Sequence, residues 1–279
     1  MSERSVIVVG RGRVGRALCS ALRAAGVEAS LVRGRDGRAI EPGSHIVVVA
    51  VPDPRVEAVA ARLSATVGPR DVVLHCAGAL GAEVLASCAE RGAATGVMHP
   101  LVSFASTRRP PALAGTTWVV SGDPPAVRAA RRLARACGAR AVHGAVHGAA
   151  YHATAAMLAN GAAALAHEAV NALVALGIGR RDAERAASAL LASVAQNVDT
   201  VGVPRALTGP IVRGDAQTVA RHRAALAAFH PRTSHAYDAV GPVILAAAAD
   251  AGLDPAAARR VARALRSRSG VSRRPRRPA

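Results

Sequence analysis

The sequence holds no lysine; all 36 of its lysine-plus-arginine positions are arginine. That excludes any mechanism resting on an ammonium donor or a lysine Schiff base. Aromatic residues make up only 2% of a chain that is 51% hydrophobic, so Ala, Val and Leu must fill the core, and alanine favours helices because it loses least on entering one. The four cysteines (Cys19, Cys76, Cys88 and Cys137) form no Cys-x-x-Cys pair and no metal-ligand spacing. They read as thiols in a reducing cytoplasm, and no metal is expected. No run of about 18 uncharged apolar residues is present, so no membrane span is expected. The first residues lead at once into a short apolar run with the wrong flanks for a secretory signal. A cytoplasmic protein is the expectation.

What is abundant is positive charge. The formal net charge is +18 over 279 residues, which raises the question of a polyanionic partner. The arginines are spread over most helical stretches, and the chain is also rich in alanine and glycine, a combination that reads as GC-rich coding. The one dense cluster lies at residues 266–277. Residues 269–279 have no apolar period and are expected to form a disordered basic tail. Nucleic acid is therefore not the expected partner.

Short apolar runs alternate with helical stretches in the first half, which is the βαβ signature of a parallel sheet. Strands are expected at 5–9, 28–32, 45–51, 71–76, 94–98, 116–121 and 139–143, and helices at 14–25, 54–65, 81–91 and 125–136. From about residue 147 strand-like runs vanish. Alanine-rich helical segments follow at 149–176, 182–200, 216–228, 231–249 and 255–267, with Gly241-Pro242 expected to break or kink the fourth. The fold expected is an α/β Rossmann domain with a doubly wound parallel sheet (1–146) followed by an all-α domain (147–268).

Gly10-Arg11-Gly12-Arg13-Val14-Gly15 is a GxGxxG that leaves a strand and opens a helix, the context in which it signals a dinucleotide. Gly10 allows the tight turn, Gly12 lets backbone approach a pyrophosphate, and Gly15 lets helix pack on strand. Arg13 and Val14 share the loop, and the amides at the helix start face the anion. An NAD site usually offers an acid at the end of the second strand. Here that strand runs into Arg33-Gly34-Arg35, and Asp36 comes a few residues too late. Arg33 or Arg35 can pair with a 2′-phosphate, which favours NADP(H). Val51-Pro52 and Ala77-Gly78 leave the third and fourth strands at the edge where ligands bind. Their small residues suit passage near the ribose and nicotinamide, and suit ordinary strand-exit turns equally well.

The layout resembles the 6-phosphogluconate dehydrogenase-like reductases, among them ketopantoate reductase, pyrroline-5-carboxylate reductase, 3-hydroxyisobutyrate dehydrogenase and prephenate dehydrogenase. More closely, it is similar to a bacterial family of Rossmann-like proteins whose helical half is a domain of unknown function. The stretches that carry the resemblance are His75 to Leu80, His99 to Phe104, Tyr151 to Ala156 and Ala206 to Asp215. The resemblance implies an NADPH-dependent reduction of a small 2-oxo acid, first of all 2-dehydropantoate to pantoate in pantothenate synthesis. Behind it stand reduction of an imine of the pyrroline-5-carboxylate type and a non-catalytic NADP(H)-binding sensor. It also implies a homodimer sharing helices across a two-fold axis.

Hydride transfer to a carbonyl needs a proton or strong hydrogen bond for the developing alkoxide and a grip on the substrate carboxylate. Relatives of this superfamily often use a lysine on the first long helix of the second domain, which this chain lacks. His152, near the start of that helix and able to titrate near neutral pH, is the first replacement, or else a structural histidine among alanines. Asn160 follows eight residues on, about 80° around the helix. Tyr151 is a second proton-donor candidate. His99, leaving the fifth strand beside Pro100, can bond substrate or fix its loop, with Ser103 nearby. Thr208 and Arg213 can hold a carboxylate. Asp215 can orient a partner or cap a helix.

Overall fold

A computed structural model describes residues 5–34, 44–144 and 148–266. Arg35, Asp36, the expected domain boundary at 146/147 and the expected tail at 269–279 lie outside the described residues. The chain divides into two compact units, Met1–Ala159 and Asn160–Ala279.

In the first unit seven strands form one sheet: β1 (Ser5–Val9), β2 (Ala29–Val32), β3 (His45–Val49), β4 (Val72–His75), β5 (Ala94–Pro100), β6 (Thr117–Gly122) and β7 (Arg140–His143), in the order β2-β1-β3-β4-β5-β6-β7. The central strands β1, β3 and β4 are apolar nearly throughout because both faces are covered. Successive side chains alternate in direction. Val6 and Val8 of β1 and Ile46 and Val48 of β3 therefore enter one core with α1 (Arg13–Ala24) and α4 (Pro124–Ala136). Ile7, Val9, Val47 and Val49 enter the other, with α2 (Val56–Leu63) and α3 (Ala86–Ala89). The lone tryptophan, Trp118, is fully buried and donates its indole N–H to the Thr116 hydroxyl at 3.0 Å.

The sheet departs from the all-parallel expectation at one place: β5 and β6 pair antiparallel, with Pro100 opposite Trp118. A parallel return needs a crossover, usually a helix, and the 101–116 connection carries none. The expected helix at 81–91 is shorter too, a 3-10 turn at Ala82–Leu85 leading into α3. Two carboxylates, the buried Asp71 and the exposed Asp123, pin strand ends by accepting backbone amides. Asp71 takes those of His45 (2.9 Å) and Gly68 (2.8 Å), and Asp123 takes that of Thr95 (2.7 Å).

Five helices follow: α5 (Ala149–Ala175), which runs across the division between the units, then α6 (Arg180–Val201), α7 (Ala216–Phe229), α8 (Pro231–Asp250) and α9 (Pro255–Arg266). The last three pack around Ile211, Val219, Val261 and Leu265. Buried Arg223 ties them together. It makes a bidentate pair with Asp238 of α8 (2.6 and 3.1 Å) and donates to the Ala264 carbonyl of α9 (2.8 Å). α8 runs unbroken through Gly241-Pro242. Gly241 is buried, and a Cβ there would lie 2.6 Å from Leu265 Cδ2, so the residue is small because α9 packs on it. No helix among the described residues is long and apolar enough to cross a membrane.

Candidate functional site

The strand order reverses beside β1: β2 lies on one side and β3 on the other. Such a switch point opens a crevice at the carboxyl ends of the strands, and the glycine loop sits in it. Gly10 has φ +129°, and a Cβ there would lie 2.2 Å from the Ala50 carbonyl oxygen. A Cβ on Gly15 would lie 1.9 Å from the Gly10 carbonyl oxygen. Both positions are closed to any other residue by backbone atoms. Gly12 is different, with nothing within 4 Å of its would-be Cβ. The protein does not need a glycine there for its own packing, whereas a ligand approaching the backbone would. Gly12 is also the N-cap of α1, with no side-chain cap and no acid in the first turn. The first amides of the helix are thus left facing outward, as an anion site requires.

A cleft of about 340 Å³ opens from this loop, lined by Gly10, Gly12, Val51 and Pro52 and by four arginines, Arg11, Arg33, Arg55 and Arg62. Arg33 is exposed on the rim at the end of β2. Arg62 donates to the Gly34 carbonyl at 3.0 Å and Arg11 to that of Leu31 at 3.4 Å, which draws both guanidinium groups to the same strand end. Arg11, Arg55 and Arg62 went unnoticed in the sequence. The signal for two of them is present there: Arg55 and Arg62 stand seven residues apart around α2, two turns along one face. Arg13 turns away and donates to the Phe104 carbonyl at 3.1 Å, fastening the 101–116 connection to α1, while Val14 packs into the core.

Farther along the same sheet edge, residues distant in sequence meet. His99 at the end of β5 shares a 2.7 Å hydrogen bond through Nδ1 with the Tyr151 hydroxyl of α5. The ring of His152 lies 6.4 Å from that of His99, inclined at 61°. The His99 ring rests on Gly78, where a Cβ would stand 2.8 Å from Cε1 and Nε2. Burial raises the Tyr151 hydroxyl above its ordinary pKa, so it keeps its proton at neutral pH, and the His99 tautomer sets which of the two donates across their bond. Burial pushes the thiol of half-buried Cys76, which follows β4, up to about 12, so it keeps its proton at neutral pH. The structure thus brings three of the expected residues together, but gives the hydrogen bond to Tyr151 and leaves His152 exposed.

Ser103 is exposed on the 101–116 connection, and Ala77 is buried with its amide donating to His75 Nδ1. In the second unit Asn160 and Thr208 are exposed, as is Arg213, whose amide donates to the Gly209 carbonyl. Asp215 takes the structural of its two expected roles. Its carboxylate caps α7 by accepting the Thr218 amide at 3.0 Å. Hydrogen bonds from Thr218 hold it below the usual carboxylate range, with Arg221 and Arg213 adding to the effect. Among the described residues no group of three His, Cys, Asp or Glu is placed to hold a metal.

Residues 36–100 match a Rossmann-like domain model, and residues 116–244 match the model of a domain of unknown function, DUF2520. No curated protein matches the chain. Among solved structures, protein TM1727 of Thermotoga maritima is 22% identical with a TM-score of 0.66, over 88% of this chain and 99% of that one. Protein BF3122 of Bacteroides fragilis, assigned as an NADP oxidoreductase, is 16% identical with a TM-score of 0.67, over 87% and 98%. Plasmodium falciparum pyrroline carboxylate reductase, solved with NADP bound, is 12% identical with a TM-score of 0.57, over 89% and 99%. At these identities the likeness is one of fold.

Proposed function

We propose that this chain, which joins a Rossmann-like domain to a DUF2520 domain, is an NADPH-dependent reductase of a small 2-oxo acid, with 2-dehydropantoate as the first substrate to test. The observation that carries the reading is the arginine-lined cleft at the switch point, built on an uncapped glycine helix start. Gly12 leaves room for a pyrophosphate at the first amides of α1. Arg33, Arg55 and Arg62 supply forked cations for a 2′-phosphate, and no acid ends β2 to favour a bare ribose. The assignment of BF3122 and the NADP bound to the Plasmodium enzyme agree with that choice.

The bound cofactor would supply hydride. The chain must supply the proton, and the His99–Tyr151 pair is suited to it. The Tyr151 hydroxyl stays protonated at neutral pH, and a His99 carrying its proton on Nδ1, 2.7 Å away, can donate that proton to the phenolate left when Tyr151 gives its own up. In that arrangement the alkoxide oxygen gains the proton as the carbonyl carbon gains the hydride. His152, exposed beside the pair, can steady a carboxylate.

Reduction of a cyclic imine is the second reading, favoured by the fold shared with pyrroline carboxylate reductase. The same pair would then protonate nitrogen. The apolar residues left exposed along α5 and α6 support a homodimer. The test is to titrate the protein with NADPH and NADH, then offer 2-dehydropantoate, other 2-oxo acids and cyclic imines while following NADPH absorbance. Tighter NADPH binding with turnover of one class is expected. Binding without turnover across the panel overturns the enzyme reading in favour of a sensor.

A further inference from the structure

We infer that His75, a buried histidine outside the proposed proton-donating pair, is the positioning residue that holds that pair in register. The inference rests on the reading of His99 and Tyr151 given above. His75 ends β4 and is fully buried. Its Nδ1 accepts the Ala77 amide at 3.2 Å, and its Nε2 lies 2.8 Å from the Gly81 carbonyl. An amide can only donate and a carbonyl only accept, so the ring is neutral with its proton on Nε2. One imidazole therefore fastens both ends of the 77–81 loop.

That loop touches both members of the pair. Gly78, one residue after the clamped amide, is the surface on which the His99 ring rests. The Gly78 carbonyl accepts the Gly148 amide at 3.2 Å, and the Gly148 carbonyl accepts the His152 amide at 3.0 Å in the first turn of α5. Tyr151 sits in that turn. A shift of the loop must move His99 through packing and Tyr151 through the start of its helix. A histidine suits the position because it presents an acceptor and a donor at opposite ends of a rigid ring.

The test is His75→Asn, which keeps an acceptor near the Ala77 amide and removes the donor to Gly81. Its folding is checked by thermal melting. The first readout needs no activity: the His99 ring is titrated by NMR in wild type and variant, and its midpoint is expected to move. The second is kinetic. A fall in kcat of about 10- to 100-fold is expected with NADPH affinity unchanged, the cost of misplacing a catalytic group by a fraction of an ångström to an ångström. That fall should vanish when His99 is already alanine. A folded His75→Asn with wild-type His99 titration, or a kcat loss additive with that of His99→Ala, overturns the inference. If the wild type turns over nothing, the reductase reading fails while the NMR titration still judges His75. Should His75→Asn not fold, Gly78→Ala tests the next link. It must displace the His99 ring and move its midpoint, and an unmoved midpoint rejects the link.

Discussion

Three glycines in six residues do three separable jobs, and the structure allows each to be tested alone. Gly15 and Gly10 are closed by backbone oxygens at 1.9 and 2.2 Å from a would-be Cβ. Gly15→Ala should therefore lower the melting temperature by forcing α1 off the sheet, with a cost of about 1–3 kcal/mol for overpacking. Gly12→Ala meets nothing within 4 Å. It should melt like the wild type yet bind NADPH at least about tenfold more weakly, some 1.4 kcal/mol. Equal melting and equal affinity in Gly12→Ala would remove the pyrophosphate from this loop. The histidines separate in the same way. His99→Ala and Tyr151→Phe should each lower kcat, His99→Ala by about 10²–10⁴-fold if the pair moves the proton. His152→Ala should act mainly on KM. The reverse order would return the chemistry to His152, which local sequence alone favoured. Position near a helix start was visible in the sequence; a hydrogen bond spanning 52 residues was not.

At the level of elements, the sequence was most legible where one period rules. The strands buried on both faces, the glycine loop opening α1 and the turn to pure helix after β7 all follow from local pattern. Pairing direction does not, because β6 carries the same apolar run whether it lies parallel or antiparallel. Only the lack of a helix between residues 101 and 116 decides it. The cleft was half legible: Arg33 stands where an acid would select NAD, whereas Arg55 and Arg62 enter only once α2 is placed over the end of β2. These arginines should act on cofactor choice more than on folding. The double variant Arg33→Ala, Arg62→Ala should weaken NADPH by about 10- to 100-fold, up to some 3 kcal/mol, and leave NADH almost unchanged. Equal losses for both cofactors would place the 2′-phosphate elsewhere.

The α7 cap gives a prediction in pH. Because the Asp215 carboxyl lies below its ordinary pKa, its stabilising bond is complete at neutral pH. It is lost as pH falls through that lowered value. Asp215→Asn keeps an oxygen acceptor for the Thr218 amide but cannot titrate. It should flatten the acid limb of the melting curve while costing little at pH 7. An unchanged acid limb would show that other carboxylates set it.

For the whole molecule, the second unit is unevenly buried, and the imbalance argues for a second copy of the chain. α7, α8 and α9 close on their own core, whereas α6, 22 residues long, buries only Ala183. Leu190 is 66% exposed, and Leu191, Val194, Val198 and Val201 are exposed near it at helical spacing. Apolar residues grouped on one helix face and bordered by charge are the pattern of an interaction surface. Its alternation with Arg181, Glu184, Arg185 and Asp199 keeps a polar side for solvent. A two-fold axis would set each stripe against its own copy, an arrangement that closes without leaving a sticky end. The dimer should then contribute to stability by mass action, with a melting temperature that rises with protein concentration. Leu190→Glu with Val194→Glu should halve the mass measured by light scattering and abolish that dependence, without touching the cofactor cleft of the first unit. If the wild type is already monomeric at micromolar concentration, the stripe must serve another partner. If the charged variant still dimerises, the two-fold contact lies on a different face.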